Sequence, residues 1–557
     1  MNLELPNHPL TGNVWLASLT VISLGILVVK LCSLGGHRVR QMVLWDLPGP
    51  PSPSFFAGNY LQMFDPVTGI DFREYVRRTY GIVTRFSGPF GDQVLLISDP
   101  KALSNILLKY QETFEEIEWF TETFRHFLGP ELLSSTGASH RRQRKILNPA
   151  FQMQHLRSMV PLFHKITYEF RKVMRKKLED DPQEIELMDW LGRLSLEMIA
   201  QGGLGYTFES FTPDAENAEF VTAIKDFAPV LARVNAFLLF FPLVSKWPGQ
   251  LLRYAAVCLQ WGDVNHVVKI ADTIHLGMSR LFETKKALLA KGDAELTDQI
   301  LGGRDIVSVL MRTDSKDAEF KMRDDEITAQ MTTLLAAGTD TTSTALSRMV
   351  YLFTQHQDVQ ERLRQELNAA VASSGEDFTA EELSELPYLN AVCLELLRLH
   401  APVSFVARTC HADTTIALSQ PIPGVTTSQS SMFIPRNTTV IVDILGVNRN
   451  YDIWGADADE FKPERWLSPL PESVVNARIP GISPNMLTFL GGWRSCIGFK
   501  LAELEIRVVL SHLVRAFRFL PSKEIEWRLG PVTTPHVKGS PDVTPMMPII
   551  LESLLDN

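Results

Sequence analysis

Residues 13–34, NVWLASLTVISLGILVVKLCSL, form an apolar run of about the length that spans a bilayer core. Lys30 interrupts the run near its far end, where a lysine stem can reach back toward the headgroups. His37, Arg38 and Arg40 follow, whereas Glu4 alone precedes it. The positive-inside rule then predicts a lumenal N-terminus (1–12), a transmembrane signal anchor (13–34) and a cytosolic body, with a single pass of the membrane. Basic residues after the run, not before it, argue against a cleaved signal peptide. Residues 35–54 form a basic and proline-rich hinge. Within it, LPGPPSP (47–53) has fixed φ angles and few amide donors, which makes a semi-rigid spacer. From residue 55 to residue 557 the periodicity is mostly helical. Apolar residues recur at three- and four-residue intervals in 325–356, 382–400 and 500–517, and Leu501, Leu504, Val508, Val509 and Leu513 mark the last of these as a core helix. VLLIS (94–98) and TTVIVDIL (438–445) read as strands. The expectation is one mainly helical α+β body with small sheets.

Composition narrows the class. With 557 residues and 45% hydrophobic content, the chain can bury a large core. A net charge of −10 excludes a generally cationic nucleic-acid surface. Five widely spaced cysteines (Cys32, Cys258, Cys393, Cys410 and Cys496) with no CxxC pair exclude a disulfide framework and a structural zinc site.

The chemistry concentrates in FLGGWRSCIGF (489–499), directly before the last core helix. Gly491, Gly492 and Gly498 allow positive φ and close approach to a flat ligand. Cys496 falls near a helix N-terminus, where free N–H groups favour a thiolate. Phe489, Gly492, Arg494, Cys496 and Gly498 spell F-x-x-G-x-R-x-C-x-G, which resembles the haem-binding signature of the cytochrome P450 family at every defined position. The resemblance implies the P450 fold, haem b with Cys496 as axial thiolate, and Arg494 against a haem propionate. A thiolate on haem iron favours O–O cleavage.

Further segments agree with the resemblance in their order along the chain. Glu395 and Arg398 form an E-x-x-R, and FKPERW (461–466) is similar to the family's P-E-R-[FW] element, which implies a buried triad of Glu395, Arg398 and Arg465. HRRQR (140–144) resembles the W-x-x-x-R helix, with His140 where tryptophan is usual. His140 and Arg144 are expected to share one face toward the propionates, and Arg408 is placed by the resemblance beside them. AGTDTT (337–342) costs helix propensity and sets an acid among apolar residues, which marks a site. It is similar to the family's [AG]-G-x-[DE]-T-[TS] element. The resemblance gives Ala337 and Gly338 the task of making room for dioxygen, and Asp340 and Thr341 that of proton delivery.

The resemblance further implies an apolar substrate met by 119–127, 226–244, 403–406 and 532–534, with Trp119, Phe120, Phe405 and Val406 as contacts. No Gly-rich dinucleotide fingerprint follows Cys496. The expected electron donor is therefore a separate NADPH-cytochrome P450 reductase in the endoplasmic reticulum membrane, with cytochrome b5 as a second donor. In texture the chain is similar to fungal microsomal members, which points to hydroxylation or further oxidation of a terpenoid or polyketide. Two other functions stand against this monooxygenase. One is an oxygen-independent hydroperoxide isomerase or dehydratase of the same fold, disfavoured by the intact Asp340–Thr341 pair. The other is a non-catalytic haem-binding sensor, for which no signalling module is found.

Overall fold

Leu501, Leu504, Val508, Val509 and Leu513 lie on one face of the helix Phe499–Ala516, and all five are buried. The computed structural model describes residues 40–554, apart from 179–180, 213–217, 235–243, 246–261, 292–299, 313–320, 423–429 and 543. The main helices are α1 (Glu118–Leu128), α2 (Gly137–Leu147), α3 (Leu187–Ile199), α4 (Ala218–Arg233), α5 (Gly262–Lys291), α6 (Asp324–Gln355), α7 (Pro387–Leu399) and α8 (Phe499–Ala516). The long helix α6 runs through the body and packs most extensively on α3. Asp324, Asp325 and Glu326 occupy its first turn, where carboxylates offset the positive end of the helix dipole. A large apolar cluster joins these helices, and a second cluster lies under the main sheet.

That sheet has the order β1-β2-β5-β4-β3, from β1 (Val83–Ser87), β2 (Gln93–Ile97), β3 (Phe114–Glu116), β4 (Phe405–Cys410) and β5 (Thr439–Asp443). Its β2–β5 pair is parallel, and the other pairs are antiparallel. In the β3–β4 ladder Arg408 stands opposite Glu116, which brings a charged pair into the interior. The hairpin of β6 (Ile525–Arg528) and β7 (Thr534–Val537) ties its loop to the entry of β4, where Thr533 N–H donates to the Pro402 carbonyl at 2.9 Å.

Three expectations change in detail. The apolar periodicity of 382–400 covers two helices, Ala380–Glu385 and α7. Leu386 is extended between them, as a residue before proline prefers, and Pro387 opens the second helix. The strand expected over 438–445 ends at Asp443, whose carboxylate caps a short helix, Ile444–Asn448. Among the described residues no helix is long and apolar enough to cross a membrane, and the anchor expected at 13–34 lies outside those residues, as does 1–12.

α7 carries the internal fastener of the cysteine side. Glu395 is fully buried and accepts from Arg398 Nε and Nη2 (2.8 Å each), Arg465 Nε (3.1 Å), Trp466 Nε1 (2.9 Å) and the Lys462 N–H (3.1 Å). Arg398 also donates to the carbonyls of Asn448 and Ala458. The triad expected from E-x-x-R and PERW is thus assembled, and Trp466 is a fourth member. Glu395→Gln would leave two buried guanidinium groups without their carboxylate. We expect it to lower stability by about 3–5 kcal/mol, against below about 1 kcal/mol for an exposed pair. Urea unfolding at unchanged m-value measures the difference.

Candidate active site

The loop before α8 needs glycine at two positions. Gly492 has φ +72°, and a Cβ there would lie 2.0 Å from the Leu107 carbonyl oxygen; at Gly491 it would lie 1.8 Å from that of Pro480. Closure of the loop is made by the Cys496 N–H, which donates to the Phe489 carbonyl at 2.9 Å. Phe489 packs on Phe499 with ring centres 6.0 Å apart. Gly498 plays a different part from the one expected. Its φ is −87° and only Phe151 stands near its missing Cβ, so it leaves open space, while its N–H donates toward the Cys496 sulfur.

Cys496 has an accessible side chain, yet protein encloses it deeply enough that burial raises its thiol pKa. Both facts hold if the accessible face opens onto an internal space and not onto bulk solvent. The Gly498 N–H and Arg144 favour the thiolate without outweighing burial. The N–H groups before α8 thus favour the thiolate, as the sequence suggests, but burial outweighs them; coordination to a metal would complete the ionisation.

Beside it, α2 and β4 bring cationic groups together. His140 is buried among Arg494, Arg144, Arg408 and Arg141, and burial with those charges lowers its pKa to about 3. It is therefore a neutral imidazole at physiological pH. Arg494 donates to Glu115 (3.0 Å) and to the Ser135 carbonyl (2.6 Å), and Arg408 to Glu116 (2.6 Å). Arg144 donates to the carbonyl and hydroxyl of Ser495 and has no carboxylate among these contacts. One nitrogen of Arg408, Nη2, is buried without an acceptor.

The third component is the middle of α6. Ala337 is exposed although the residues around it on the helix are buried or half-buried, and we take it too to face internal space. Thr341 donates back to the Ala337 carbonyl at 2.7 Å, a local bond that competes with regular helix geometry. Gly338 corrects an expectation. A Cβ there would meet Ile199 at 2.8 Å, so this glycine permits close packing of α3, and room on the accessible side is left by Ala337. Burial holds the Asp340 carboxyl at about 7, and Lys225 on α4 opposes the shift. Lys225 is itself paired with Asp189 on α3.

Sequence reasoning missed Lys225 and also Glu505 of α8. Glu505 is buried, its pKa is pushed up to about 8, and its Oε2 accepts from Thr342 at 3.4 Å. A small, mostly apolar cavity is lined by Leu128, Ile224, Phe227, Ile274, Leu335 and Ala336, with the polar Thr332. Of the expected substrate segments, Trp119 and Phe120 lie on α1 and Phe405 and Val406 on β4. Residues 235–243 lie outside the described part.

The residues fit a haem. A thiol facing internal space, an orphaned guanidinium nitrogen and three arginines with two carboxylates between them suit a metal ion carried by a planar dianion. Arg144, Arg408, Arg494 and the His140 N–H would hold propionates, and Cys496 the iron.

Comparison with known proteins agrees with this geometry. The family profile described as Cytochrome P450 matches residues 48–536. Cytochrome P450 monooxygenase 219 of Postia placenta is 40% identical over 92% of this chain and 93% of that protein. Ganoderic acid synthetase of Ganoderma lucidum is 39% identical over 90% of this chain and 92% of its own length. A cytochrome P450 monooxygenase of Hericium erinaceus is 34% identical over 90% and 93%.

Removing a charge-assisted donor to a buried anion weakens its hold about tenfold to a hundredfold. We expect Arg408→Leu to raise the rate of haem transfer to apomyoglobin by that factor, with far-ultraviolet dichroism unchanged. An unaltered rate would remove Arg408 from the cofactor's contacts.

Proposed function

The chain belongs to the cytochrome P450 family of monooxygenases, and from that premise we propose that it oxidises a lipophilic terpenoid-like molecule of secondary metabolism at the cytosolic face of the endoplasmic reticulum membrane. The observation that carries the reading is the Asp340–Thr341 pair, set beside Ala337 on the accessible turn of α6. When bound, haem supplies oxygen activation and C–H oxidation; the protein supplies orientation and protons.

The proton route follows from the side chains. A carboxyl with a pKa near 7 can both give up and regain a proton at neutral pH, and Asp340 has that property. Lys225, paired with Asp189, links Asp340 toward the partly exposed outer side of α3. Thr341 can exchange its bond to the Ala337 carbonyl for one to a group lying over that turn.

Terpenoid chemistry is supported by the name of one relative, a ganoderic acid synthetase. Membrane attachment is supported by the apolar run at 13–34. It is also supported by the exposed Met42, Trp45, Phe55, Phe56 and Leu61, a concentration of large apolar side chains just after the hinge begins. A membrane-bound NADPH-cytochrome P450 reductase as separate electron donor, with cytochrome b5, is in keeping with the family's usual supply.

Thr341→Ala should lower product formed per dioxygen consumed by about an order of magnitude while consumption continues; unchanged coupling would remove Thr341 from the route. For Asp340 the sign is set by its raised pKa. The carboxyl is protonated below about 7 and ionised above, so coupling falls as pH rises through that value. Asp340→Asn should flatten this profile and cut turnover about a hundredfold. Untargeted product analysis with a co-expressed reductase tests the substrate class: an oxygenated terpenoid supports it, and an oxidised polar metabolite contradicts it.

A further inference from the structure

Two turns beyond Thr341, α6 carries Arg348, which the oxidation does not use. Its guanidinium lies over the Trp527 ring, 3.4 Å from the centroid. Among the described residues it has no hydrogen bond and no ion pair. An arginine does not shed its charge in a protein, and an isolated interior charge is costly unless something answers it.

The neighbours make the charge larger. Arg449 acts on Arg348 with the same sign. It donates to the Leu399 carbonyl and, through Nη2, to His400 Nδ1 at 3.3 Å. Because arginine only donates, His400 Nδ1 accepts and the ring proton is assigned to Nε2. Trp527 Nε1 is buried without an acceptor. The carboxylates that act on this group, Asp459 and Glu74, act on Arg449, and both are already paired with Arg78. No carboxylate acts on Arg348. Arg348, His400 and Arg449 each keep some accessible surface although protein surrounds them, the condition already met at Cys496.

We propose that Arg348, with His400, Arg449 and Trp527 around it behind α6, forms a carboxylate-binding site separate from the oxidation site. A guanidinium stacked face-on against an indole leaves its N–H edge free in the plane, and a carboxylate is the bidentate acceptor for that edge. The His400 Nε2–H supplies a neutral donor. The position relates the site to the substrate side: His400 precedes Pro402 by two residues, and Thr533 N–H holds the Trp527 hairpin to the Pro402 carbonyl. The carboxylate belongs either to a lipophilic acid reaching from that side or to a small free acid.

Thermal unfolding of the holoenzyme, titrated with acetate and benzoate at constant ionic strength, tests the site. The midpoint should rise saturably with either acid and stay fixed with benzamide. In Arg348→Gln the half-saturating concentration should increase about tenfold to a hundredfold, and Arg348→Lys, which keeps the charge and loses the fork, should fall between. If Arg348→Gln fails to take up haem, the lysine variant decides by the same shift. Dodecanoate and its methyl ester separate the two sources. A Soret spin-state shift with the acid that Arg348→Gln weakens, and that the ester does not share, assigns the site to lipophilic acids. Stabilisation by acetate and benzoate alone assigns it to free acids. No saturable effect in the wild type, or equal half-saturation in the variants, overturns the proposal, and neither result bears on the monooxygenase reading, which rests on Asp340 and Thr341.

Discussion

Arg144, Arg408 and Arg494 converge on the neutral His140 beside Cys496, and the polypeptide does not balance them. Glu115 and Glu116 take one guanidinium each, Arg144 finds only the neutral acceptors of Ser495 and Asn148, and Arg408 Nη2 finds nothing. Interior charge left in this state is unfavourable by several kcal/mol in general, so the arrangement makes sense as half of a complex with a planar dianion. The iron of that group also resolves the second conflict, a thiol whose pKa burial raises although its role requires it ionised. The loop that presents Cys496 then has to be stiff. Glycines that touch the Leu107 and Pro480 carbonyls compress it from one side, and the Glu395 hub fixes α7 behind it.

We place the oxygen chemistry on a different element, α6, and one titratable side chain, Glu505, connects it to α8. Thr342 and Glu505 link α6 to α8, the helix that follows the cysteine. Gly338 lets α3 approach until Ile199 fills the gap, and Lys225 of α4, paired with Asp189 of α3, acts electrostatically on Asp340. Burial then sets the Asp340 proton affinity near neutrality. Fold and reactivity are linked at this point: the close helix contact that stabilises the core also tunes the acid.

The parts legible in the sequence were those that break local rules. An acid and a run of threonines within an apolar helix announced α6, and Phe489 to Gly498 announced the loop, because each is disfavoured by propensity and so calls for a reason. Helix extents followed from periodicity except at Leu386–Pro387, where apolar spacing continues across a real break and the proline was the better signal. Lys225 and Glu505 left no such trace. A lysine on an amphipathic helix and a glutamate on a core helix look ordinary until partners far away in sequence are placed against them; Thr342 and Glu505 are 163 residues apart. Gly338 was noticed and misread for the same reason, since its neighbour Ile199 belongs to another helix. Arg348 likewise reads as one more polar position until the absence of a counter-charge is seen in three dimensions.

Cys496 is accessible yet enclosed by protein, and we propose that it is the ligand to iron. The spectrum of the reduced, carbon monoxide-treated protein tests it most directly. The wild type should show the red-shifted Soret band of a thiolate-ligated haem, and Cys496→Ala should lack it even when haem is retained. Persistence of that band in Cys496→Ala, or its absence from correctly folded wild-type holoprotein, would contradict the account.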